Sequence, residues 1–142
     1  MEIPKLVMKR TFDTPREKLF EAWTNPEMMR EWFFAGQGWS STVASDAKIG
    51  GGYKVAMHGP ENTFTHEGTY RELNPPSKIV FSWNSPLVND TIVTIELAEV
   101  SEGTELTLTH ELLGTEELRA QHTEGWTGCL GSLGVYVEKV AA

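Results

Sequence analysis

Three of the four histidines in this chain fall among apolar neighbours, and they carry most of its potential for chemistry. His66 and His110 lie on the apolar side of segments that alternate apolar and polar residues. His122 opens the apolar face of a long C-terminal segment. Trp126, Cys129, Leu130, Leu133, Tyr136, Val137 and Val140 continue that face at 3.6 residues per turn. Imidazoles set among apolar groups can orient a small ligand through a few placed hydrogen bonds, with Tyr70 or Tyr136 adding a phenol. The competing reading for any one of them is a core histidine satisfied by its neighbours. His66, His110, His122 and Cys129 have donors suited to a metal, but no two show short-range ligand spacing, so no metal is expected. Cys129 sits mid-helix, away from the cationic or helix-N-terminal surroundings that activate a thiol, and is expected to fill space. There is no Gly-x-Ser-x-Gly elbow, phosphate-cradling loop or paired-histidine motif. No catalytic residue and no cofactor is therefore assigned.

To bring these side chains together the chain needs strands and a covering helix. Residues 5–12 read as a strand. Thr14-Pro15-Arg16-Glu17 then signals a helix start, with Thr14 as cap, Pro15 in the first helical position and Glu17 closing a capping box. Leu19, Phe20 and Trp23 form its buried face. Asn25-Pro26-Glu27 restarts a second short helix that buries Met28 or Met29 with Trp32 and Phe33. Gly36-Gln37-Gly38 ends this unit. Strands follow at 39–46, 53–58, 64–73, 78–84, 90–100 and 104–112. The turns between them include Gly50-Gly51-Gly52, Asn74-Pro75-Pro76-Ser77 and Ser101-Glu102-Gly103. Gly114 breaks the chain before a helix over 115–140. Successive strands pair as an antiparallel meander, and the helices must cover one face of it.

Alternation sorts the strands into two faces. The inner set is Tyr53, Val55 and Met57; Phe64, His66, Gly68 and Tyr70; Ile79, Phe81 and Trp83; Val93, Ile95 and Leu97; Leu106, Leu108, His110 and Leu112. Lys54, Thr65, Glu67, Arg71, Thr94, Glu96, Glu105, Thr107 and Thr109 make a solvated outer face. Of the five tryptophans, Trp23 and Trp32 suit packing of the short helices, Trp39 a strand end or rim, and Trp83 and Trp126 the interior. Gly125, Gly128, Gly131 and Gly134 recur every third residue of the long helix and spiral off its apolar face. They read equally as a softened lid or a close backbone contact with a partner subunit, and as tolerated drift or a helix kinked for packing.

The chain has 142 residues, enough for one domain with a real core, and a net charge of −8. That charge opposes a phosphate backbone or an anionic membrane as partner. The single cysteine permits no intramolecular disulfide. With no apolar run of signal-peptide or bilayer-spanning length, a reduced, cytoplasmic setting is expected.

Several stretches carry a family likeness. They are Phe12-Asp13-Thr14-Pro15 with Ala22-Trp23, Trp32, Gly51-Gly52-Tyr53, the run from Gly68 through Pro76, Ile79-Val80-Phe81-Ser82-Trp83, the run from Gly103 through His110, and Gly125-Trp126. In this order they resemble the START-like (SRPBCC, helix-grip) superfamily, and more narrowly the activator of heat-shock-protein-90 ATPase homologue-like domain family. The resemblance implies a single α+β domain over residues 1–142. In it a curved antiparallel β-sheet wraps a long C-terminal helix, with two short helices between strands 1 and 2. Such folds serve carriers, cyclases, aromatases and co-chaperones, so the fold alone does not choose.

The resulting expectation is an uncatalysed binder of a small, largely apolar molecule, aromatic or lipid-like, held between sheet and helix. Its expected lining is Tyr53, Met57, Phe64, His66, Tyr70, Phe81 and Trp83 from the sheet's first half and Leu108 and His110 from its second. His122, Trp126, Cys129, Leu130 and Leu133 complete it from the helix. Two alternatives stay open: a cyclase-, aromatase- or hydrolase-like enzyme in the same cavity, and a co-chaperone-type module that engages a chaperone in a stress response. Monomer and homodimer are both compatible with the sequence.

Overall fold

A computed structural model describes residues 5–34 and 38–141, the side chains of residues 140 and 141 excepted. Val140, which the helical wheel assigns to the apolar face, and the Gly36-Gln37 pair of the first turn thus lie outside the described set. In chain order the elements are β1 (Leu6–Phe12), α1 (Arg16–Thr24), α2 (Pro26–Met29), β2 (Ser40–Ser45), β3 (Gly52–His58), β4 (Thr63–Asn74), β5 (Lys78–Trp83), β6 (Thr91–Val100), β7 (Gly103–Glu111) and α3 (Glu116–Ala141). The strands form one seven-stranded antiparallel sheet ordered β1-β7-β6-β5-β4-β3-β2. From β2 to β7 it is a meander; only β1 pairs out of sequence, against β7. The sheet curls into a half-barrel around α3, with α1 and α2 inserted between β1 and β2, as the helix-grip expectation holds.

Period-two burial explains the curl. Tyr53, Val55 and Met57 of β3, Ile79, Phe81 and Trp83 of β5, Val93, Ile95 and Leu97 of β6, and Leu106 and Leu108 of β7 are all buried on the concave side. Trp126, Cys129, Leu130, Leu133 and Val137 of α3 meet them, while Lys54, Glu67, Arg71 and Glu96 stay exposed on the other side. Apolar burial on one face only is what drives a helix into the hollow of such a sheet.

Two local expectations need correction. Thr14 does not cap α1; Pro15 holds the N-cap position without a side-chain bond, and Thr14 is buried. Its carbonyl accepts from the Thr104 hydroxyl at 2.7 Å, so Thr14 ties β1's exit to β7 instead. Asn25 does cap α2, accepting from the Glu27 amide at 2.9 Å, with Pro26 in the first turn. Leu112 is not an inner residue: β7 ends at Glu111, and Leu112 turns out with φ 66° and 72% exposure. That left-handed turn lets Leu113 take the buried place and redirects the chain toward α3.

One glycine shapes the sheet near the interior. A Cβ on Gly68 would lie 2.0 Å from the Ser82 carbonyl oxygen, so only glycine admits this approach. The Ser82 carbonyl turns inward and accepts from the Tyr53 hydroxyl at 2.5 Å. The Ser82 hydroxyl replaces it in the ladder and accepts from the Thr69 amide at 2.9 Å.

Candidate functional site

Between the β3–β5 side of the sheet and the first half of α3 lies a cavity of about 180 Å³. Met57 of β3, Phe64 and His66 of β4 and Trp83 of β5 form its floor. Gln121, His122, Gly125, Trp126 and Cys129 of α3 form its roof, while Trp39 before β2 and Leu87 after β5 close the sides. At the mouth, the Trp39 and Phe64 rings stack with centroids 5.8 Å apart. Phe64 is 42% exposed there, on the rim and not in the core.

Seven of the expected lining residues therefore meet in one space: Met57, Phe64, His66, Trp83, His122, Trp126 and Cys129. The other seven, Tyr53, Tyr70, Phe81, Leu108, His110, Leu130 and Leu133, are buried but do not border it. Tyr53 is committed to Ser82, and Tyr70 shares a hydrogen bond with the Ser45 hydroxyl at 2.7 Å. Burial, helped for Tyr53 by the neighbouring Tyr70, pushes both phenols upward, so they stay protonated. Tyr136 is half-buried toward the short helices, within electrostatic reach of Glu31 and Glu21.

Trp39, Leu87, Gln121 and Gly125 are lining residues outside the expected set. A signal for two of them exists: Gln121, Gly125 and Cys129 form one i, i+4 row beside the apolar stripe. Leu87 reaches in from a loop, where periodicity carries no information. It is 59% exposed and meets the cavity with only part of its side chain.

The three interior histidines divide by their hydrogen bonds. The Trp126 indole N–H donates to His110 Nδ1 at 3.1 Å, and the Thr91 hydroxyl donates to the Trp83 carbonyl at 2.7 Å. With its proton so used, Thr91 Oγ1 accepts from His110 Nε2–H at 2.8 Å. Both ring nitrogens are satisfied, and the partners assign the proton to Nε2. His110 is thus a structural tie between β6, β7 and α3. It holds Trp126 against Trp83, their centroids 4.9 Å apart.

His66 is the opposite case. Its ring stacks on Trp83 at 4.6 Å and 19°, and its buried Nδ1 has no partner. Burial, and secondarily His122, lowers His66 to about 4 and His110 to about 3, so both are neutral at pH 7. His122 Nδ1 donates to the Leu118 carbonyl one turn earlier, at 2.7 Å. His58, the fourth histidine, lies outside with Thr42 and Thr63. Burial pushes the Cys129 thiol up to about 12, which removes it as a nucleophile near neutral pH. Among the described residues no His, Cys, Asp and Glu groups converge as a metal site. A second hollow of about 540 Å³ opens widely on the sheet's outer side and mixes Lys54 and Arg71 with Glu67 and Asp90.

A half-barrel gripping a long C-terminal helix, with short helices between its first two strands, is the architecture of START-like helix-grip proteins. The chain belongs to one family within that class, described as Activator of Hsp90 ATPase homolog 1-like protein, whose profile matches residues 13–138. The crystal structure of protein CV1439 from Chromobacterium violaceum is similar at TM-score 0.85 and 26% identity, over 94% of this chain and 96% of that one. The solution structure of ChR145 from Cytophaga hutchinsonii gives 0.76 and 29%, over 100% and 99%. An AHSA1-like protein from Aeromonas hydrophila gives 0.86 at 23% identity, over 97% and 94%, a likeness of fold. Among curated proteins, none matches the chain.

Proposed function

We propose that this protein binds a small, largely apolar molecule without transforming it, and that the cavity beneath the first half of α3 is the binding site. The observation that carries this reading is the cavity itself, about 180 Å³ bounded mainly by Trp39, Met57, Phe64, Trp83, Leu87 and Trp126. Sites for drug-sized ligands run to about 300–1,000 Å³, so this one suits something smaller. An apolar cavity of about 150 Å³ accommodates benzene, which sets the scale at one ring or a short chain.

Binding is favoured over catalysis by the state of the candidate groups. His110 is spent on structure, His66 is a weak base, and the Cys129 thiol stays protonated. For a protein partner, the exposed Val7, Ile49, Phe64, Leu87, Leu112 and Val135 lie on separate segments, so among the described residues no single strand or helix carries more than one of them.

Thermal denaturation with saturating toluene tests the reading. At a hundredfold excess over Kd the stabilisation is about 2.7 kcal/mol, a rise in Tm of several degrees. Cys129→Phe places a ring in the cavity, and the rise should vanish in that variant. A native protein whose Tm ignores toluene, other single-ring hydrocarbons and short-chain alcohols alike is not such a binder.

A further inference from the structure

The polar atoms that reach the cavity narrow the class of molecule, on the strength of the binding reading above. His122 gives its Nδ1 proton to the Leu118 carbonyl, so Nε2 is the acceptor edge of the ring when it carries one proton. His66 has the reverse arrangement. Its Nδ1 is sealed off without a partner, while the ring borders the cavity and lies flat on Trp83. A proton on the sealed nitrogen would be a donor denied both water and protein, a costly placement. It belongs on Nε2, at the opposite edge of the ring. Both rings border the same hollow, and neither Nε2 has a partner among the described residues. A donor on β4 and an acceptor on α3 are therefore available to one ligand between aromatic walls.

We infer that the ligand is a neutral single-ring phenol, whose oxygen accepts from His66 Nε2–H, whose proton goes to His122 Nε2, and whose ring packs between Trp83 and Trp126. A hydroxyl is the smallest group that accepts and donates at once. A carboxylate offers no proton to His122 and finds no cation, because the cavity's lining contains neither Lys nor Arg. A plain hydrocarbon leaves both imidazole edges unpaired. The volume is on the scale of one ring, and the stacked rings of Trp39 and Phe64 extend the aromatic wall to the mouth.

Calorimetric titration with phenol and with toluene, which exchange a hydroxyl for a methyl group on the same ring, decides the matter. In a hollow without polar partners the hydroxyl is a burden, and toluene binds tighter. Here phenol should bind at least about tenfold tighter than toluene, the worth of two modest hydrogen bonds. His66→Phe keeps a ring stacked on Trp83 and removes both nitrogens; it should abolish the preference, weakening phenol by more than toluene, which bonds to neither nitrogen. His122→Phe should do the same, and if that variant fails to fold, His66→Phe alone decides. Toluene binding as tightly as phenol to the native protein overturns this inference and leaves the binding reading standing. A phenol preference that survives in His66→Phe overturns the assignment to the two imidazoles. Binding of neither compound overturns the phenol inference, and the wider hydrocarbon and alcohol panel then decides the binding reading separately.

Discussion

The two halves of α3 share one helix and similar residues, yet they face different interiors. Along the first half, His122, Trp126 and Cys129 are buried but border a hollow. Along the second, Leu130, Leu133 and Val137 are close-packed, and Gly134 is buried beneath the Arg10 guanidinium, which lies over the Phe12 ring at 5.2 Å. The difference comes from the opposite wall. The β1 edge closes onto the second half of the helix, whereas β3, β4 and β5 stand off from the first. A helix in a curved sheet can thus be a plug at one end and a roof at the other.

Core truncation breaks or confirms this division most directly. Leu133→Ala, in the plugged half, should cost about 2–5 kcal/mol in urea denaturation, because a new void opens among packed neighbours. Cys129→Ala only enlarges space that already exists, and should cost about 1 kcal/mol or less. Similar losses at the two positions would mean that the cavity is no weaker a packing environment than the core.

Acid stability sharpens the contrast between a satisfied and an unsatisfied imidazole. An unfolded histidine titrates near 6.5, whereas His66 and His110 in the folded chain lie near 4 and 3. The unfolded state therefore binds more protons below pH 6.5, so stability is complete above that value and falls as pH drops toward 4 and then 3. By pH 4 the loss from His110 is on the order of 3 kcal/mol, a large part of the stability of a typical domain. Imidazole NMR shifts recorded down to pH 4 should show His110 untitrated and His66 only partly protonated. A midpoint near 6.5 for His110 would contradict its two hydrogen bonds.

Most of the fold was legible because alternation and capping are local signals. The inner sets of β3, β5 and β6 and the helical stripe from His122 to Val137 emerge from period alone, and the Asn25 cap from residue type. The site was half legible for a physical reason. Period two says which side a residue faces, but not whether the opposite wall touches it. Tyr53, Phe81 and Leu108 share the inward direction of Met57 and Trp83, and what separates them is the distance from sheet to helix. Leu112 escaped because one left-handed residue reverses the parity of a strand end. The roles of His66 and His110 differ through Thr91 and Trp126, partners brought together only by the fold.

The glycines of α3 give the gentlest test of the same division. A Cβ on Gly125, at the hollow, would meet nothing within 4 Å. A Cβ on Gly134, in the packed half, would lie 2.5 Å from an Arg10 guanidinium nitrogen and 3.2 Å from its central carbon. Gly125→Ala should therefore stabilise the protein by about 0.5–1 kcal/mol, the ordinary gain of alanine over glycine within a helix. Gly134→Ala has the same backbone gain but must push Arg10 off Phe12, giving up a cation–π contact of about 0.5–1 kcal/mol, so its net effect should be near zero. The guanidinium is the far end of a flexible side chain, which is why displacement rather than unfolding is the expected response. Combining each substitution with Arg10→Ala in a double-mutant cycle isolates that contact. Coupling to Gly134→Ala and none to Gly125→Ala would place Arg10 as the clamp of the plugged end, whereas equal coupling would mean that the helix responds as one piece and its halves are not distinct.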